Sequence, residues 1–288
     1  MIGMAPSSLT IHWILRASVW ACFVGHGMFG IRQKADWLVF YRPLGIPDDV
    51  ALATMPIIGL IDITMGYLAL LRPTRFVLIY TACWGVFTAL LRPLAGMSPF
   101  ETLERAGNFG PSIALLLGAS SAGLLAHIGV YDLSQEQNYR RLKLTLVLTT
   151  CLLLIGHGAL AVAAKPMLTQ HWQSIGLIGT DGSGERLTRI AGAMEIGAAL
   201  LLYAHPTRSL CLLIFGWKLG TEMLFLTTGA PVWEVVERGG SYGAPLALFA
   251  LLQFRRSHVN QIESWRSQNR LKTTARAVAD AAGRGAGA

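Results

Sequence analysis

Apolar residues lie along the chain in long runs separated by polar connections, and they do not alternate with polar residues. An α-helix needs about 20 residues to cross the hydrocarbon core of a bilayer, whereas strands and amphipathic helices show shorter or periodic patterns. We predict eight spanning segments: Ile11–Ile31, Val50–Leu71, Arg75–Leu91, Phe109–Val130, Leu142–Ala164, Leu187–Ala204, Leu210–Thr228 and Tyr242–Phe254. The third is short, and the eighth depends on its flanks to reach both interfaces. The pattern indicates an all-α integral membrane protein with about eight transmembrane helices.

Composition supports this fold class and limits the partners. Hydrophobic residues make up 53% of the chain and charged residues 14%, against about a quarter charged in soluble domains. The net charge of +8 comes largely from the end of the chain, because seven of the 24 Lys and Arg residues lie from Arg255 onward. No nucleic-acid motif accompanies them. The bilayer, and not a nucleic acid, is the predicted partner of this basic segment.

The chain repeats itself internally. Shifted by 133 positions, Asp62–Ile113 lies on Glu195–Leu246 without a gap, and 14 of the 52 positions are identical. The identities include charges, prolines and tryptophans, which shared hydrophobicity alone would not match. Two further segments, Gly25-His26-Gly27 and Gly156-His157-Gly158, correspond at a shift of 131. We therefore predict a first four-helix repeat at 1–133, a second at 134–256, and a basic, disordered cytosolic tail at 257–288.

The even number of helices in each repeat predicts two parallel four-helix bundles related by an axis along the membrane normal. Placing both termini in the cytosol puts 13 Lys and Arg residues of the connections and tail inside and eight outside. Lys and Arg favour the cytoplasmic side of a membrane. We therefore expect the protein in the cytoplasmic (inner) membrane, with both termini in the cytosol.

Ionisable side chains inside a bilayer are expensive and therefore mark candidate sites. Asp62 and Glu195 occupy the same place in the second helix of each repeat, and His26 and His157 lie in the outer part of the first helix. We expect one histidine–carboxylate contact in each repeat. Two interpretations stay open: a polar clasp that fixes helix register, or a proton-handling or ligand-binding pair.

One charged pair is specific to the second repeat. Lys218 and Glu222 are spaced i, i+4, whereas their counterparts are Gly85 and Ala89. This asymmetry favours the second repeat as the one that binds a ligand, with structural pairing as the alternative.

A charged motif precedes the last helix of each repeat. It contributes Glu101, Glu104, Arg105, Glu234, Glu237 and Arg238. We predict that each motif forms a short interfacial helix at the outer mouth of its bundle. Its charges are expected to cap helix ends and pair with each other, or to form the rim of a pocket that opens outward.

The chain resembles the DoxX-like family of small four-helix membrane proteins. The resemblance is carried by Arg16, Gly25-His26-Gly27, the acidic helix GLIDITMGYLALL, the PTR turn and a Trp-containing third helix, and it extends over residues 11–254 as two tandem units. The second repeat matches in GHG, AMEIGAALLL and HPTR, but Val147 stands where Arg16 would be expected. The resemblance implies an accessory role in a quinone- or thiosulfate-linked redox system, with quinone as a cofactor and a redox subunit as partner.

Residue chemistry leaves the function open between three classes: an accessory redox subunit, a small-molecule binder or transporter, and an intramembrane enzyme acting on a lipid or isoprenoid with Asp62 or Glu195 as general acid. The four cysteines form no CxxC pair, so neither a disulfide framework nor a metal site is indicated. Heme is disfavoured, because only His26 and His157 lie deep and at most one heme could bridge the repeats.

Overall fold

The computed structural model describes residues 7–118, 123–176 and 183–258, and these are mostly helical. The first repeat contains α1 (Ser8–Ile31), α2 (Leu38–Tyr41), α3 (Asp48–Leu71), α4 (Arg75–Leu94), α5 (Phe100–Glu104) and α6 (Ala106–Leu116). The second contains α7 (Glu136–Val162), α8 (Pro166–Ser174), α9 (Ser183–Ala204), α10 (Arg208–Thr227), α11 (Trp233–Glu237) and α12, the helical residues 239–258. The predicted tail lies outside the described residues apart from its first two positions.

Six of the described helices are long and apolar enough to cross a membrane: α1, α3, α4, α7, α9 and α10. They correspond to six of the eight predicted segments, which confirms a multi-pass helical membrane protein. Their outward faces are apolar, as Leu213, Leu200 and Ile57 illustrate with 69%, 63% and 61% exposure. Since lipid tails are as apolar as these side chains, such faces are suited to lipid contact.

The fourth and eighth predicted segments differ from the structure. Helix α6 ends at Leu116, although the apolar run predicted a span to Val130. Small residues of low helix propensity follow, and residues 123–134 are not helical. The Tyr131 hydroxyl instead donates to the Ala114 carbonyl at 2.5 Å and ties this segment to the end of α6. The eighth segment, predicted as 242–254, lies within the longer helix 239–258.

Local sequence explains where the central helices begin and how closely they pack. Thr74 and Thr207 are the N-caps of α4 and α10, each accepting a hydrogen bond from the backbone N–H three residues later at 3.3 Å. Glycines let α1 approach α3, because a Cβ at Gly27 would lie 2.5 Å from the Gly59 carbonyl oxygen. Glycines likewise let α7 approach α9, because a Cβ at Gly158 would lie 2.7 Å from the Gly192 carbonyl oxygen.

The two repeats exchange their short helices. Helix α11 of the second repeat packs on α1 of the first, and α5 of the first packs on α7 of the second. Gly25 permits the contact of α1 with α11, because a Cβ there would lie 2.3 Å from the backbone nitrogen of Glu237. Gly156 permits the contact of α7 with α5, because a Cβ there would lie 2.1 Å from the backbone nitrogen of Glu104. The two repeats are therefore interlocked, an exchange that the prediction of two parallel four-helix bundles did not include.

Candidate functional site

The expected histidine–carboxylate contact is present in both repeats. In the first, His26 Nδ1 lies 2.8 Å from Asp62 Oδ2, and the Asp62 side chain is fully buried. In the second, His157 Nδ1 lies 2.5 Å from Glu195 Oε2. The close approach of α1 to α3 and of α7 to α9 places each imidazole against its carboxylate.

A cavity of about 250 Å³ adjoins the pair in the first repeat. Its polar residues include His26, Asp62, Arg92 and Arg105, supplied by α1, α3, α4 and the α5–α6 junction. Aromatic side chains form much of the remaining wall: Trp37, Phe40, Tyr41, Trp84 and Phe87. The ring of Trp37 stacks on His26 with centroids 4.4 Å apart. For comparison, an apolar cavity of about 150 Å³ holds one benzene molecule, so this one has room for a substituted ring.

The second repeat is filled by its own side chains at the corresponding place. Its pocket measures only about 20 Å³. Lys218 is fully buried, and its Nζ lies 3.2 Å from Glu222 Oε1 and 3.8 Å from Glu195 Oε1, distances of ion pairs. Glu222 in turn forms an ion pair with Arg238, whose Nε lies 3.1 Å from Glu222 Oε2. The i, i+4 pair predicted from the sequence therefore forms, as part of a continuous chain of charges.

The structure thus favours the first repeat as the binding site, whereas the sequence favoured the second. Size differs at one lining position: Ala89 lines the cavity beside Asp62, and the larger Glu222 stands at the corresponding place in the second repeat. Lys218 and Glu222 pair with each other beside Glu195, where the pocket is small. All six intramembrane candidates nevertheless lie in these two corresponding sites. The first repeat holds two of them, His26 and Asp62, and the second holds four, His157, Glu195, Lys218 and Glu222.

The two carboxylates differ in how fully they are satisfied. Glu195 Oε1 accepts a hydrogen bond from Trp217 Nε1 at 2.7 Å. In the first repeat neither equivalent atom is paired, because Asp62 Oδ1 and Trp84 Nε1 are both buried without a hydrogen-bond partner among the described residues. An unpaired buried acceptor is unfavourable by about 1–3 kcal/mol. Two residues that line the cavity, Asp62 and Trp84, therefore each carry a polar atom without a partner among the described residues.

The charged motifs pair across the repeats. Lys34 of the first repeat contacts Glu234 of the second, and Lys165 of the second repeat contacts Glu101 of the first, both at 2.5 Å. Each repeat therefore supplies the lysine of one ion pair and the glutamate of the other. Arg105 reaches Glu237 at 3.0 Å. The expected mutual pairing is present, and most of these residues are buried. Glu101, Glu234, Glu237 and Arg238 are buried at 4–8% exposure, because the exchanged helices carry them into the interface between the repeats.

A second pocket of about 410 Å³, the vestibule, lies over this interface. Its lining includes Lys34, Lys165, Glu101 and Glu234. Trp37, Phe40, Arg92, Arg105 and Glu237 line both the vestibule and the first-repeat cavity. The two spaces therefore adjoin, and the vestibule offers a polar route to the cavity.

The interface between the repeats stabilises ionised carboxylates. Burial raises the pKa of the Glu237 carboxyl, but the guanidinium groups of Arg105 and Arg238 outweigh burial and hold this pKa at about 2 in place of 4.5. Burial likewise raises the pKa of Glu104, and Arg105 and Lys165 bring it below its ordinary value. Both groups therefore remain ionised at neutral pH.

The depressed pKa of Glu237 predicts acid sensitivity of the folded chain. The ionised carboxylate contributes its full stabilisation above pH 4.5, and the contribution is lost as the pH falls from 4.5 towards about 2. We expect the thermal midpoint in detergent to fall over this window, and to fall less in Glu237→Gln. Glu185→Gln is the control, because that side chain is 64% exposed. Equal pH dependence in Glu237→Gln and the native protein would contradict the assignment.

Sequence reasoning did not identify the aromatic wall or Arg92 as site residues. Trp84 aligns with Trp217 in the internal repeat, but nothing in the sequence pattern shows that it lines a cavity. Trp37 and Phe40 belong to a short connection, α2 and its flanks, that carries no motif. Arg92 could have been noticed, because Phe225 stands at the corresponding place in the second repeat. Comparison of the chain with family models, with curated proteins and with solved structures gives no match.

Proposed function

We propose that the protein is a multi-pass protein of the cytoplasmic membrane, with both termini in the cytosol, that binds or transports a small molecule in its first repeat. The observation that carries this proposal is the 250 Å³ aromatic cavity lined by Asp62, whose Oδ1 is buried without a hydrogen-bond partner among the described residues. Binding sites are typically concave and mostly apolar, with a few polar groups that orient the ligand. The second repeat has the same framework without the space, which assigns binding to the first.

Filling the cavity should remove binding without unfolding the protein. Ala89 lines the cavity and is 1% exposed, so Ala89→Phe places a ring inside it. Leu90→Phe is the matched control, because the neighbouring Leu90 is 48% exposed and lies outside the cavity. We expect mass spectrometry of gently purified protein to find a bound small molecule in the native chain and in Leu90→Phe, and to find at least about tenfold less in Ala89→Phe. The same bound molecules in all three proteins would contradict the proposal.

A second candidate function is that of an accessory subunit of a quinone-linked redox system. It is favoured by the stacked Trp37 and His26 rings, because a flat quinone head could lie against such a wall and exchange protons with the His26–Asp62 pair. This function requires a bound quinone or a redox partner that purifies with the protein. Absence of both from the gently purified protein would contradict this second candidate function.

A further inference from the structure

The two repeats differ at two positions that belong to one row of neighbouring charged side chains. In the second repeat, Lys218 joins Glu195 to Glu222, and Glu222 joins Lys218 to Arg238. The row therefore runs from carboxylate to ammonium to carboxylate to guanidinium. Every contact in it lies between 3.1 and 3.8 Å.

In the first repeat the two ends of this row are present and its middle is not. Asp62 stands for Glu195 and Arg105 for Arg238, whereas Gly85 and Ala89 stand for the lysine and the glutamate. Asp62 Oδ1 and Arg105 Nε are both buried without a hydrogen-bond partner among the residues that the structure describes. Both side chains line the 250 Å³ cavity. Arg238 Nε, the atom that corresponds to Arg105 Nε, contacts Glu222 Oε2 in the second repeat.

We propose that the first-repeat cavity binds a small amphoteric molecule whose protonated amine contacts Asp62 and whose neighbouring carboxylate contacts Arg105, as Lys218 and Glu222 do in the second repeat. This inference rests on the proposed function and names the ligand class of the same cavity. We expect the ammonium and the carboxylate of the ligand to lie close together, because Lys218 Nζ and Glu222 Oε1 in the second repeat are 3.2 Å apart. An α-amino acid carries its two charged groups in this way.

The imidazole beside Asp62 is compatible with a bound amine. His157 contacts Glu195 just as His26 contacts Asp62, and Lys218 nevertheless lies next to Glu195. Arg105 also pairs with Glu237 at 3.0 Å through Nη1, which leaves its Nε available to the ligand carboxylate. The rings of Trp37, Phe40 and Phe87 favour an apolar, preferably aromatic, body.

Four probes with the same ring test the proposal on the full-length protein in lipid nanodiscs: phenylalanine, phenethylamine, 3-phenylpropionate and 3-phenylpropanol. Calorimetry, supported by tryptophan fluorescence, would measure their affinities. We expect phenylalanine to bind at least about tenfold more tightly than each of the other three, because each charge-assisted hydrogen bond that is lost weakens binding by about that factor.

Two substitutions should change this ranking in opposite ways. Asp62→Asn should weaken phenylalanine and phenethylamine at least about tenfold and leave 3-phenylpropionate unchanged. Ala89→Glu supplies Arg105 with a carboxylate from the chain itself, so it should weaken phenylalanine and 3-phenylpropionate but not phenethylamine. Ala89→Gln has the same size without the charge and should preserve the order of affinities. A merely structural role of Asp62 would weaken all probes alike.

The outcomes separate this inference from the proposed function. If 3-phenylpropanol binds as tightly as phenylalanine, the amphoteric ligand is wrong and the small-molecule cavity stands. If Ala89→Phe changes the bound molecules but phenylalanine shows no binding, the inference is likewise overturned and the proposed function stands. If neither the probes nor any co-purified molecule occupies the cavity, both are wrong. The probe series on the native protein decides the matter even where a substituted chain fails to fold.

Discussion

Gly240→Ala is expected to destabilise the protein more than alanine at any other glycine that the structure describes. A Cβ at this position would lie 1.8 Å from the carbonyl oxygen of Gly107 and 2.5 Å from its carbonyl carbon. These are backbone atoms, which cannot turn aside as the end of a flexible side chain can. Overpacking of this kind typically costs about 1–3 kcal/mol, and a clash with backbone places the cost at the upper end or beyond.

The measurement is the thermal midpoint of the purified protein in detergent, with Gly220→Ala as the matched control. Gly220 also lies in a helix, α10, but no atom lies within 4 Å of its added Cβ. Alanine should be neutral there or stabilising by up to about 1 kcal/mol, because it is the better helix former. Equal midpoints for the two variants would show that the repeats do not meet at Gly107 and Gly240 as described.

Lys218→Met should have an effect of comparable size, through charge instead of volume. The methionine fills nearly the same space but leaves Glu222 and Glu195 without the ammonium that lies 3.2 and 3.8 Å from them. Removing one partner of a buried ion pair typically costs about 3–5 kcal/mol, because the remaining charge stays buried. We expect a correspondingly lower unfolding midpoint and less protein recovered from the membrane.

A double variant distinguishes lost charge pairing from lost packing. Lys218→Met combined with Glu222→Gln removes both charges, and the amide still offers an oxygen to Arg238. We expect at least half of the lost stability to return. If the two substitutions destabilise additively, Lys218 and Glu222 do not act as a pair. Glu222→Gln alone completes the cycle.

Much of the fold could be predicted from apolar runs, because a helix that faces lipid must be apolar along its whole length. The fourth span was overestimated for the same reason: hydropathy counts Gly118 and its neighbours as apolar without registering that Tyr131 packs where a side chain at Gly118 would lie. The exchange of α5 and α11 could not be predicted, because the internal repeat shows which residues correspond and not which repeat they contact. The charged residues of these two motifs could have paired within a repeat or between repeats.

Predictions of the site succeeded where they depended on neighbouring helices. The contacts of His26 with Asp62 and of His157 with Glu195 follow from helices adjacent in sequence and from small residues between them. The choice of repeat was reversed, because a buried charge can line a cavity or fill it, and only the volume around Asp62 distinguishes the two. The unpaired Oδ1 of Asp62 has no counterpart in any sequence pattern.

The exchange of short helices has a consequence for biosynthesis. Arg105 and its partner Glu237 are separated by 132 residues, and ribosomes add about 5–20 residues each second. The first half of the chain therefore waits on the order of ten seconds before the partners of Lys34 and Arg105 are synthesised. During that interval it must be sheltered from lipid by the insertion apparatus or by water. Assembly of this membrane protein is thus completed only when its second half arrives.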